Sequence, residues 1–343
     1  MGCIKKVPPG TESGSTYCLS FRLADRPLTI LLACTLTFCC SHLIAQQRDR
    51  TLDWRSVLNW LPIDTQTLII APQPFVIPKN AEDADNETSP VDALRRFALG
   101  RLDEFPKLGE ALAGHTVKFG LSGVREFRGF SGLGLVPYNG CAVIVFSEPI
   151  AASLQSAISG LPQEDWSGVT IIKLSAVRSG SLRASPEQVN LFVAQLGRDV
   201  LITATDRDLL HSLLDRRAGF QPGRAIPRDL PEWRKVDVTA AAWAIRHFKH
   251  SYDSKTDHPQ AVGIAYNAQP AGPAQKVYYL SHNQQVTEII REYWQWPDEG
   301  LAPPKVLRKS QGVVEITVPT PSAHAATLFA LLLLGSLGYM IAL

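Results

Sequence analysis

The residues whose types and spacing best suit chemistry are His247, His250, Asp253, Asp257 and His258, gathered within twelve consecutive positions. Imidazole nitrogens and carboxylate oxygens are donors that zinc takes, and a zinc ion with an open position activates water for hydrolysis. A metal-assisted hydrolase is the chemical reading of this stretch, its cofactor unknown. The surroundings favour a plainer one. His247 closes an apolar run that reads as a strand, whereas residues 250–258 also carry Ser251, Ser254, Lys255 and Thr256, the composition of a solvated loop. A preformed site needs ligands fixed by regular elements, and only His247 has one.

Other polar motifs reduce to local structure in the same way. Gly129, Gly132 and Gly134 could cradle a phosphate, but they lack dinucleotide spacing and lead into Val136 and Pro137 rather than a helix, so they read as a hairpin connection. The chain contains neither a Gly-x-Ser-x-Gly elbow nor a His-Glu-x-x-His pair. Asp206 with Asp208, and Glu164 with Asp165, read as helix caps and surface charge. Cys141 sits in a strand-like run through Phe146 and reads as a small buried residue, not a nucleophile. Trp233, Trp243, Trp294 and Trp296, with Tyr278, Tyr279 and Tyr293, could form a sugar or peptide platform; their expected role is core packing. Asn86 opens a glycosylation sequon in an acidic loop, 81–89.

The elements that must position these residues follow from periodicity. Residues 51–61 read as a short amphipathic helix, 67–71 and 75–77 as extended chain, and Ser89-Pro90 as the cap of a helix reaching Phe105. Strands are expected at 115–127, 142–146, 189–196 and 200–204, the last two flanking a tight turn at Gly197. Residues 143–154 and 200–214 share one plan, a strand feeding a helix, and Thr205 or Asp206 can cap the second helix. Strands at 241–248, 261–267, 276–281 and 311–318, with a helix at 284–294, complete the pattern. The expected fold is α+β: antiparallel sheets with helices on one face, in repeated strand-strand-helix units, flanked by terminal hydrophobic helices. A boundary between units is expected in 221–231, where prolines and a glycine interrupt the pattern.

The chain has 343 residues, 45% hydrophobic and 19% charged, with a net charge of +2. Lys5, Lys6, Arg22 and Arg26 outnumber Glu12 and Asp25 in residues 1–47, which leaves 30 of the 34 basic and 30 of the 32 acidic residues for the remainder. A neutral body lacks the basic excess that phosphate contacts require, so nucleic acid is not an expected partner. Five of the six cysteines lie in the first forty residues, so the body cannot close an internal disulfide.

Both ends are apolar. Residues 27–47 carry no charge and follow a basic segment, the pattern of a signal sequence or membrane anchor with 1–26 left in the cytoplasm. Ala45 offers a cleavage point, and Leu31-Leu32-Ala33-Cys34 resembles a bacterial lipoprotein processing box. Residues 325–343 are again uncharged; as a helix they would cover about 28 Å, close to the hydrocarbon thickness of a bilayer. The expected organisation is a cytoplasmic segment 1–26, an anchor 27–47, α+β units 48–220 and 221–320, and a membrane segment 321–343. Leu61-Pro62-x-Asp64-Thr65 before a strand resembles the opening of uncharacterised bacterial envelope proteins with an amino-terminal membrane segment. That resemblance implies an envelope location and brings no activity or site residue with it. The expected function is a membrane-anchored envelope protein whose extracytoplasmic domain, periplasmic or at the cell surface, binds or scaffolds without catalysis. Its partners would be the membrane and another envelope protein or glycan. The metal-assisted hydrolase at 247–258 is the alternative.

Overall fold

The computed structural model describes residues 52–79, 90–131, 134–178, 187–226, 231–247, 261–267, 274–279, 305–310 and 312–318. The apolar stretches 27–47 and 325–343, the acidic loop 81–89, the helix expected at 284–294 and four of the five candidate metal ligands lie outside them. Among the described residues no helix is long and apolar enough to cross a membrane.

The described strands build one antiparallel sheet. The first are β1 (Thr67–Ala71), β2 (Phe75–Val76), β3 (Thr116–Ser131), β4 (Gly134–Phe146), β5 (Gln163–Trp166), β6 (Val169–Arg178), β7 (Glu187–Leu196) and β8 (Val200–Ala204). They are followed by β9 (Ala242–His247), β10 (Ala261–Tyr266), β11 (Ala274–Tyr279), β12 (Lys305–Ser310) and β13 (Val313–Val318). Their spatial order is β12-β13-β11-β10-β9-β1-β3-β4-β8-β7-β6-β5, with β2 beside β3. Five helices accompany them among the described residues: α1 (Trp54–Val57), α2 (Pro90–Ala98), α3 (Pro106–Leu112), α4 (Ala151–Ile158) and α5 (Arg207–Arg217). The α+β class with an antiparallel sheet is thus as expected.

The placement of helices is not. Every residue of β1, β8 and β10 is buried, and a strand that is apolar on both sides needs cover on both faces. Ile69 and Ala71 face a core completed by Leu94 of α2, Leu108 of α3 and Leu154 of α4. Leu68 and Ile70 face a second core completed by Trp54 of α1 and Leu209 and Leu213 of α5. The sheet is therefore sandwiched, not covered on one face only. Strands from before and after the 221–231 stretch are neighbours in it: β1 is paired with β3 on one side and β9 on the other.

Local chemistry explains the element limits. The helix read as reaching Phe105 stops at Ala98 because Gly100 adopts φ +73°, a left-handed cap that glycine takes without penalty. Pro106 then starts α3, which periodicity missed. At the start of α5, Asp206 accepts hydrogen bonds from the N–H groups of Asp208 (2.9 Å) and Leu209 (3.2 Å), as its position implied. Asp206→Ala is expected to lower the unfolding free energy by about 1 kcal/mol, read from the urea midpoint of the detergent-solubilised chain.

The ladders give the sheet two ends. Ala71 is level with Gly120, Tyr266 with Ala242 and Ala274, and Ala274 with Val318. Thr67, Val124, Ala261 and Val313 lie toward the opposite end. The chain comes in at the first end, where Lys118 Nζ donates to the Leu52 carbonyl at 3.3 Å. It then crosses one face to the second end, where Gln66 N–H donates to the Val124 carbonyl at 3.0 Å.

Candidate functional site

The second end holds a fork. β8 is short, and its neighbours overshoot it: β4 pairs with β8 only from Cys141 to Val145, and β7 only from Phe192 to Leu196. Residues 134–139 of β4 and 187–191 of β7 continue past Ala204, each held on its outer side by β3 or β6. Thr205 seals the point of divergence. Its N–H donates to the Gly140 carbonyl at 3.0 Å, and Gly140 N–H donates back to Thr205 Oγ1 at 3.0 Å.

A cavity of about 20 Å³ sits at the root of this fork, lined by Arg101, Ser122, Gly140, Leu191, Thr203 and Thr205 among others. Its walls are polar where strand alternation would place apolar groups. Ser122 and Thr203 are only 2% and 1% exposed. Ser122 Oγ and Arg101 Nε are buried without hydrogen-bond partners, a state that costs about 1–3 kcal/mol per group. The Arg101 guanidinium is paired with Glu104 through Nη2. The turn at Gly100 sets Arg101 in place; a Cβ there would lie 3.0 Å from Ala142 Cβ. Cys141 also lines the cavity, and burial pushes its thiol up to about 12, which makes it inert as expected.

Two histidine clusters lie elsewhere. His115, just before β3, places Nδ1 3.0 Å from Glu148 Oε1 and Nε2 2.9 Å from Ser153 Oγ. Glu148 also accepts from Thr116 N–H at 3.1 Å, and the His115 ring stands edge-on to Phe146. This carboxylate–imidazole–hydroxyl chain has the order of an orienting acid, a base and a nucleophile. His211 of α5 stacks on Trp166 of β5 with centroids 3.8 Å apart and bonds Glu164 at 3.1 Å, while Arg207 reaches the same carboxylate at 2.7 Å. Desolvation works to raise the Glu164 pKa, but the hydrogen bonds from Arg207 and His211 outweigh it and hold the carboxyl below its usual value. Any contribution from this cluster is thus present above the ordinary carboxylate range and fades as pH falls through the lowered pKa. Glu164 was expected to be surface charge; it ties β5 to α5.

Of the five candidate metal ligands, His247 ends β9, half-buried, its N–H donating to the Gln66 carbonyl at 2.8 Å. His250, Asp253, Asp257 and His258 lie outside the described residues. Among the described residues no three His, Cys, Asp or Glu side chains are grouped to hold a metal ion. Trp243 is core, wedged edge-on between Trp54 (5.4 Å) and Trp233 (5.7 Å). Asp64 of the envelope-like motif pairs with Arg125 at 2.8 Å.

The fold defines a protein of the α+β class built on one wide antiparallel sheet. No protein-family model matches the chain, and no curated protein matches it. It is similar to two solved structures of TP0453. Crystal form I superposes with a TM-score of 0.44 at 12% identity, covering 82% of this chain and 98% of that one. Crystal form IV gives 0.40 at 9% identity, covering 81% and 96%. Likeness at this level carries no weight for function.

Proposed function

We propose that this chain is a membrane-held envelope protein whose body, residues 48–320, faces away from the cytoplasm and acts by binding or scaffolding. The observation that supports it is the shared position of the two chain exits. Leu52 and Val318 both lie at the first end of the sheet. β3, whose Lys118 holds Leu52, and β13 are five strand positions apart, about 24 Å. Ala45 precedes Leu52, and Ala325 follows Val318, by seven residues each, a reach of at most about 25 Å. One end of the body can thus stand over a single membrane plane while both apolar stretches insert, with the fork at the end pointing away. The electrically neutral body fits a role that is not steered by charge. Alkaline carbonate washing of membranes tests this: the full chain should stay in the pellet, and release into the supernatant would overturn the reading.

A hydrolase is the second reading, and the His115–Glu148–Ser153 geometry favours it. Treatment of the full chain with a fluorophosphonate separates the two. The expected outcome is an unmodified Ser153, its hydrogen bond serving to fasten α4 to β3. A Ser153 adduct that disappears in His115→Ala would favour hydrolysis instead.

A further inference from the structure

We propose that the fork between β4 and β7 is a strand-accepting site, which takes an extended segment of a partner protein in line with β8. This rests on the reading of the body as a binding module and names the partner's chemistry.

The root of the fork is one strand wide. At its root β4 and β7 stand two strand spacings apart, about 9.5 Å, because β8 fills the space between them. Past Thr205, which still bonds Gly140, no described strand lies between them: the ladders of β4 and β7 to β8 end at Ala204, and no ladder joins β4 to β7. Residues 134–139 and 187–191 continue past that point, the shorter over about 17 Å of strand. β4 and β7 run parallel to each other, since each is antiparallel to β8. A guest running as β8 runs would be antiparallel to both and would form a ladder on each side. Main-chain ladders supply affinity in this mode of recognition, and side-chain pockets supply selectivity. Pro137 lacks an N–H on the β4 side, so the β7 edge carries the fuller set of donors.

The root of the fork is chemically prepared for a polypeptide end or turn. Ser122 Oγ, wholly inside the protein and without a partner, lines the cavity there beside Arg101 and Thr203. Asn139 Oδ1, on the β4 side, is also without one. These groups match carbonyl and N–H groups of a main chain, whereas the surrounding Leu191 and Ile69 favour an apolar side chain on the face toward α2. A strand that alternates polar and apolar residues satisfies both demands.

The test uses full chain in detergent and a soluble probe, an octapeptide of alternating Thr and Val capped by Lys at each end, followed by amide hydrogen exchange. Without probe, the amides of 134–139 and 187–191 that face the fork should exchange fast. With probe, exchange at both segments should slow by about tenfold or more, and an N-methylated probe should bind at least about tenfold more weakly. Protection confined to the outer strands β5 or β12 would overturn the proposal, as would no protection at the highest soluble probe concentration. Slow exchange at both segments before probe is added would also overturn it, since another part of the chain or a second copy would then fill the fork. Carbonate washing of the same protein separates this from the membrane reading. A chain that stays in the membrane but shows no protection defeats the fork alone, and one that washes free yet shows protection defeats the anchoring alone.

Discussion

Trp243→Ala should destabilise the body by about 3–5 kcal/mol, among the largest losses a single core truncation gives. Trp243 is fully buried, lies near the start of β9 and touches Trp54 and Trp233 edge-on, so its removal opens a cavity between α1, the sheet and the turn at Pro231–Arg234. β9 pairs directly with β1, so the loss falls where the two halves of the sheet meet. Trp243 Nε1 is buried without a partner, so Trp243→Phe removes volume and an unsatisfied donor together. It should therefore cost much less, about 1–2 kcal/mol. Denaturant midpoints followed by far-ultraviolet circular dichroism check both values. Equal losses for the two variants would show that Trp243 is not packed as described.

Gly263→Ala should cost about 1–3 kcal/mol for the opposite reason, overpacking. A Cβ on Gly263 would lie 1.9 Å from Val236 Cγ2, so Val236 must move or β10 must bend. Both neighbours resist: Val236 is buried, and β10 is paired on either side with β9 and β11. Val236→Ala should lose little more than its own methyl groups, and the double variant should recover most of the Gly263→Ala loss. The same denaturation series reads the coupling; additive losses would rule out the clash.

The parts of this fold that sequence made visible are those where one local rule acts alone. Apolar runs marked β1, β8 and β10, Gly197 marked the β7–β8 turn, and Asp206 marked the start of α5. Fully apolar strands also carried the signal for two-faced cover, which the expectation of helices on one face passed over. Ser167 and Gly168, both at positive φ, close the β5–β6 hairpin; Ser-Gly was a readable turn signal, but the weakly apolar β5 gave no alternation to support it. The β3–β4 hairpin falls where the glycines imply, but its strands run further than expected. Glycines and Pro137 read as turn between 127 and 142, yet pairing continues from Phe127–Pro137 to Ser131–Gly134, with register shifts absorbing the irregularity. The site was least visible. Arg101, Ser122 and Thr203 meet only through tertiary packing, and a fork is a property of unequal strand lengths, which no spacing motif encodes. His115, Glu148 and Ser153 likewise come together from positions 33 and 38 apart.

A body held at a membrane and facing away from the cytoplasm can be labelled from the outside only. Gln188 is exposed on β7 at the fork end. With Gln188→Cys in spheroplasts, a membrane-impermeant maleimide should label position 188 without lysis, as read by mass spectrometry of its peptide. Labelling that requires lysis would place the body in the cytoplasm and overturn this topology.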